Sequence, residues 1–200
     1  MQPPPPPICI SRVSRYSRMW RHFDVGLYRF LKNQVYIPLL SHQLPTVLAM
    51  LRNLATLFAV FGVVLAWHGI RTHYICWVSL SALELVMERL GSVLWRTKTS
   101  QEFRSSLGDV NTRRLMAVLM VATVIPGIFG VFFFLGVDGV GSAIFEKLII
   151  QGVKDILSFN VLPMSTGFMI LHMVFLGYFY NNVCMEFDEA PTTKKEAKQE

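Results

Sequence analysis

Leu54-Ala-Thr-Leu-Phe-Ala-Val-Phe-Gly-Val-Val-Leu-Ala-Trp-His-Gly-Ile70 decides the fold class. No charged side chain lies between Leu54 and Trp67. An apolar run of about 17 to 20 residues is long enough to cross a bilayer core as a helix. Inside lipid a helix is nearly forced, because every backbone amide needs a partner within the segment. The run ends on His68, a titratable ring that is costly there unless it is paired or faces water. An ionisable group in that setting is a candidate for function. The structural alternative is a helix-end histidine hydrogen-bonded in the membrane interface.

The rest of the chain agrees with a membrane setting. It is 52% hydrophobic and only 16% charged, where soluble domains carry about 25% charged residues. The formal charge is +6. In a soluble protein that balance would suggest nucleic acid. Here the cations lie between apolar runs, so positive-inside topology explains them and no nucleic-acid partner is expected. Cys9, Cys76 and Cys184 fit neither a zinc spacing nor a disulfide framework.

Upstream of the first apolar run, residues 1–7 are a polyproline segment, extended by composition. Residues 8–41 are basic and aromatic. Trp20, Phe23, Leu27, Phe30 and Leu31 recur at three- and four-residue steps, which is helical spacing with one apolar face. The spacing predicts an amphipathic helix lying on the cytoplasmic leaflet. Asp24 is the only acid in the first 80 residues, and its plain structural role would be to pair with a neighbouring arginine.

Downstream, four spans are expected, at about 50–69, 73–94, 115–136 and 161–183. Thr46 is a suitable N-cap for the first. The second carries Glu84, Glu88 and Arg89, which at that depth must face protein or water. Trp77 and Trp95 near its ends suit the membrane interface. Residues 96–114 read as a polar loop holding at most a short helix, and Pro126-Gly127 should kink the third span. Residues 137–160 read as a short amphipathic or re-entrant helix. The charged tail, 186–200, reads as disordered. The expected fold is therefore all-α and multi-pass. The N-terminal segment, the 96–114 loop and the tail share the basic, cytosolic side, and His68 lies towards the far leaflet.

Met19-Trp-Arg-His-Phe-Asp-Val-Gly-Leu27, then Val35-Tyr-Ile-Pro38, then Trp67-His-Gly69, resemble motifs of the membrane-bound O-acyltransferase family. Phe134-Leu-Gly136, Val140-Gly141, Gln151-Gly152 and Glu88 continue the likeness in order, so it covers residues 8–185. It lies with the family branch that palmitoylates hedgehog-type secreted signals. The resemblance implies an enzyme of the endoplasmic reticulum or Golgi membrane that moves palmitate from palmitoyl-CoA to an N-terminal cysteine amine. It implies that His68 is the catalytic base and Asp24 the assisting acid. It places Trp20 along the acyl and CoA path, with Trp67 of the Trp-His-Gly motif also assigned to substrate binding, and makes Cys9 a haem ligand. CoA is polyanionic, so cytosolic arginines suit it by charge, and Arg21 and Arg18 are the candidates. The implied partners are a hedgehog-like secreted protein, acyl-CoA and membrane lipids. Two other readings stand beside it: an O-acyltransferase that remodels lipids or glycosylphosphatidylinositol anchors, and a catalytically silent binding protein. Family members are longer, with more spans, so the chain is expected to be a C-terminal portion or a short isoform.

Overall fold

A computed structural model describes residues 15–40, 45–136 and 139–189, and every regular element among these residues is helical. Helices α1 (Tyr16–Phe23) and α2 (Val25–Phe30) lead through a π-helical stretch, Leu31–Tyr36, into α3 (Ile37–Leu39). Then come α4 (Thr46–His68), α5 (Thr72–Trp95) and α6 (Lys98–Leu135). Helix α7 (Val140–Phe145) continues through a second π-helical stretch, Glu146–Ile150, into α8 (Gln151–Leu157), and α9 (Thr166–Glu189) follows. The polyproline segment, Cys9 and the residues beyond 189 lie outside the described residues.

Windows in α4, α6 and α9 are long and apolar enough to cross a membrane: Val47–His68, Lys98–Leu135 and Thr166–Glu186. Helix α5 is as long, at 24 residues, but the acids it carries set it apart. They are not left to lipid. Glu84 is wholly buried, and Glu88 accepts from the Ser17 backbone N–H at 2.8 Å and from its hydroxyl at 2.6 Å. The first of these bonds satisfies an orphan amide in the opening turn of α1, where Arg15 at the N-cap supplies no side-chain bond.

Helix α1 is not an isolated amphipathic helix but is packed on α5. It lies across the middle of α5, its first turn on Glu88 and Ser81 and its Trp20 ring on Trp77. The period identifies an apolar face but not what covers it; the acids of α5 decide that. The 96–114 region also departs from expectation. It is helical from Lys98, and the chain breaks instead at Gly108, with φ 73° and ψ 168°, a conformation open essentially to glycine alone. The backbone stays helical through Pro126. Pro45, not Thr46, is the N-cap of α4.

Helices α6 and α9 run antiparallel. Asn181 donates through Nδ2 to the Ala117 carbonyl at 2.8 Å, and Arg113 meets Glu186 at 3.0 Å. The end of α9 thus lies beside the polar start of α6, on the same side of the bundle. The expected re-entrant segment is the short α7–α8 run, packed against α9. Asp155 of α8 accepts from the Thr166 hydroxyl, from Gln151 Nε2 at 2.9 Å and from the Gly167 N–H at 3.4 Å, so it caps α9 from outside that helix. Large apolar side chains down α4 and α9, such as Leu51, Phe58, Phe175 and Leu176, are exposed, as lipid-facing positions are.

Candidate active site

Gly69 ends α4 immediately after His68. Its φ of 99° is a left-handed value that favours glycine, and its N–H closes the helix on the Leu65 carbonyl at 2.9 Å. His68 is therefore the last helical residue, and the sharp turn brings the start of α5 back beside it. Three rings surround the imidazole: Trp77 at 5.2 Å and Phe134 at 5.3 Å, both near perpendicular, and Tyr74 at 5.5 Å. Among the described residues His68 makes no side-chain hydrogen bond. Helix α5, at 1.5 Å per residue, separates it by roughly 36 Å from the basic segment after Trp95.

Trp77 continues the aromatic path inward. It packs on Trp20 at 5.8 Å, and Trp20 packs edge-on to Phe61 of α4 at 5.7 Å. Trp77 is thus no lone interface anchor. Gly130 of α6 lies beside it, where an added Cβ would meet Trp77 Cδ1 at 3.6 Å, ordinary van der Waals contact. Trp95, the other expected anchor, is covered by Arg104, whose guanidinium lies 4.4 Å from the ring centroid.

Beside Trp20 is a cavity of about 270 Å³. Leu27, Leu31, Leu57, Val60, Phe61, Val64 and Leu85 make its apolar wall, and Ser17, Arg21, Asp24, Tyr28, Lys32 and Tyr36 give it polar groups. Leu57, Phe61, Val64 and His68 fall at helical steps on one face of α4, so the cavity wall and the histidine share a stripe. Among the described residues Asp24 pairs with no arginine. Its Oδ1 accepts from the Leu27 N–H at 2.8 Å, making it the N-cap of α2. The signal was available: an aspartate directly before a helical run is a favoured N-cap.

The structure thus gathers Trp20, Arg21 and Asp24 around one cavity and links His68 to it through Trp77. It does not bring Asp24 into contact with His68. Trp67 stands apart, 84% exposed on the outside of α4. The haem expectation falls on Cys9, outside the described residues. Among those residues no group of three His, Cys, Asp or Glu could hold a metal.

A second polar cluster lies where α1 crosses α5. Tyr16 Oη and Ser81 Oγ are 2.9 Å apart. Neither oxygen of Glu84 nor Trp20 Nε1 has a hydrogen-bond partner of good geometry among the described residues. Position alone gives the signal: Ser81, Glu84 and Glu88 lie on one face of α5.

Residues 1–129 match the family model of MBOAT, the membrane-bound O-acyltransferase family. The chain is 30% identical over 150 residues to the protein-cysteine N-palmitoyltransferase Rasp of Drosophila melanogaster, covering 74% of this chain and 29% of that protein. It is 35% identical over 153 residues to the protein-cysteine N-palmitoyltransferase HHAT of Mus musculus, covering 76% of this chain and 30% of that protein. It therefore spans about 30% of the length of the curated relatives it matches. With the family match over residues 1–129, and a helical bundle whose cavity and helix-end histidine carry the motif residues, the chain belongs to the membrane-bound O-acyltransferase family.

Proposed function

We propose that this chain carries the acyl-CoA cavity and the proton acceptor of a protein acyltransferase. It would transfer palmitate from palmitoyl-CoA to the N-terminal cysteine amine of a hedgehog-type secreted protein, in an endoplasmic reticulum or Golgi membrane. The observation that supports the reading is the cavity beside Trp20, apolar along α4 and cationic at Arg21 and Lys32, whose Trp20 ring packs on Trp77 as Trp77 packs on His68. An acyl chain suits the apolar wall, and the cations suit the phosphates of CoA. The two similar proteins are named as protein-cysteine N-palmitoyltransferases, which favours an amine acceptor over a lysolipid.

The thioester is already activated, so the main task lies with the nucleophile. A peptide α-amine, with a pKa of about 8, is largely protonated at neutral pH. In this mechanism the neutral His68 imidazole takes a proton from the amine as its nitrogen attacks the thioester carbonyl. The C–N bond forms, the C–S bond breaks, and the CoA thiolate leaves. The protonated imidazole returns its proton to solvent or to the departing sulfur. Asp24, bonded to Leu27 and not to His68, serves by holding α2 and the cavity mouth. Positioning both substrates supplies much of the remaining acceleration.

The test is transfer by the chain reconstituted in lipid nanodiscs with palmitoyl-CoA and a peptide bearing a free N-terminal cysteine. Hydroxylamine-resistant palmitate on the peptide is expected, as an amide requires. His68→Ala is expected to lower kcat by about a hundredfold or more, the range for a general base, and Asp24→Ala to raise the acyl-CoA KM as well as lower kcat. Acylation of a lysophospholipid but not of the peptide would replace this reading with lipid remodelling. Tight palmitoyl-CoA binding without any transfer would favour the silent binding role.

A further inference from the structure

We infer that the aromatic cage of Tyr74, Trp77 and Phe134, and not a carboxylate, orients the His68 imidazole and stabilises it when it carries a proton. The inference rests on the acyltransferase reading for its functional half and on geometry alone for its positional half. A catalytic histidine needs a group that fixes its ring and meets the charge it gains. In hydrolase-type sites that group is a buried acid bonded to the second ring nitrogen. No such acid touches His68 among the described residues. The acid implied for that part, Asp24, is committed to the Leu27 amide, and the buried Glu84 lies beside Tyr16 and Gly127.

The cage supplies both needs. Its rings hold the imidazole from three sides, at 5.2, 5.3 and 5.5 Å, with Trp77 and Phe134 near perpendicular to it, and a cation over a ring face is attracted within roughly 6 Å of the centroid. The rings also brace one another. Trp77 and Phe134 are 4.5 Å apart, and Tyr74 and Phe134 are 5.8 Å apart. The cage members come from α5 and α6, and His68 from α4, so the ring position depends on the packing of three helices. Trp77 is a positioning residue here: it touches His68 on one side and the Trp20 ring of the acyl cavity on the other.

Two measurements on the nanodisc-embedded chain test this. The first is the rate at which diethyl pyrocarbonate modifies His68, read by mass spectrometry, and it needs no enzymatic activity. Trp77→Leu and Phe134→Leu are expected to speed modification at least threefold, while Trp77→Phe, which keeps a ring, stays within twofold of wild type. The second is steady-state transfer. Trp77→Leu is expected to lower kcat by roughly threefold to thirtyfold, the fold-change equivalent of one cation–π contact, with the KM for palmitoyl-CoA within twofold, and Trp77→Phe to restore most of the loss. Unchanged His68 modification in both leucine variants, checked as monodisperse and helical, overturns the cage. So does wild-type kcat in Trp77→Leu when the wild-type chain transfers. If the wild type transfers nothing, the acyltransferase reading fails by itself, and the modification rates still decide the cage.

Discussion

Glu88→Ala should undock α1 without unfolding the bundle. In the wild type the Glu88 carboxyl accepts two bonds from Ser17, at 2.8 and 2.6 Å. A hydrogen bond to a charged group contributes about 1.5 to 3 kcal/mol, and a half-exposed one less. Alanine removes both and leaves the Ser17 N–H, in the first turn of α1, without its partner. The expected cost to docking is about 2 to 4 kcal/mol, with the Tyr16–Ser81 bond and the Trp20 ring contacts still in place. At about 1.4 kcal/mol per decade, that raises the open population of α1 some 30- to 1000-fold. Amide exchange in α1 should quicken by the same factor where opening limits it. Hydrogen–deuterium exchange of nanodisc-embedded protein, read on peptides covering residues 16–23, measures this directly. Peptides from α9 provide the internal reference and should not change. Glu88→Gln keeps an acceptor but loses the charge, so an intermediate effect is expected. Exchange in α1 within threefold of wild type for Glu88→Ala would show that the carboxyl does not hold this helix.

Three further outcomes follow from the packing. A Cβ at Gly152 would lie 2.6 Å from Ile170 Cδ1 and 2.8 Å from the Thr166 carbonyl oxygen; Gly152→Ala should cost about 1 to 3 kcal/mol, seen as a lower melting temperature in detergent, and an unchanged Tm would refute the tight α8–α9 approach. Gly91 has nothing within 4 Å of a Cβ and lies inside α5, so Gly91→Ala should instead stabilise by about 0.5 to 1 kcal/mol in the same assay. The Thr166 and Gln151 hydrogen bonds hold the Asp155 carboxyl below its ordinary value. A lowered folded-state pKa means stability that is present above the unfolded value of about 3.9 and lost as pH falls through the folded one. Unfolding midpoints should therefore be insensitive to this group from pH 8 to 5 and drop at lower pH, with a shallower drop in Asp155→Asn; identical acid limbs in the two proteins would refute the cap.

The helices long and apolar enough to cross a membrane, α4, α6 and α9, were legible because an uncharged helical-length run has few other uses, and α4 ends at His68 where that run ends. The glycine after it could be read as a helix stop from sequence alone. Tertiary partners were less legible. Trp77 looks like an interface anchor on a helix drawn alone, and only the turn at Gly69 and the approach of α6 put it among His68, Trp20 and Phe134. Residues 98–107 read as a loop from their polarity, yet nothing in them prevents a helix; the break waits for Gly108. Asp24 was legible in identity through the motif. Its bond was legible only by weighing two signals: an acid among arginines suggests an ion pair, while an aspartate directly before a helical run offers a local, less entropically costly cap.

The depth of the cavity follows from the one span that composition makes awkward. Ser81, Glu84 and Glu88 on one face would make α5 costly as a lipid-facing helix. Covering that face takes a segment with its own donors, and α1 provides the Ser17 amide, the Ser17 hydroxyl and the Tyr16 phenol. Once those are engaged, Trp20 must fall one turn further along, against Trp77 and Phe61, and Asp24 must cap the next helix at the cavity edge. Substitutions that make α5 more apolar should therefore improve its insertion and loosen the site together. Ser81→Leu with Glu88→Leu is the sharpest case: tighter membrane insertion accompanied by an α1 that no longer resists exchange.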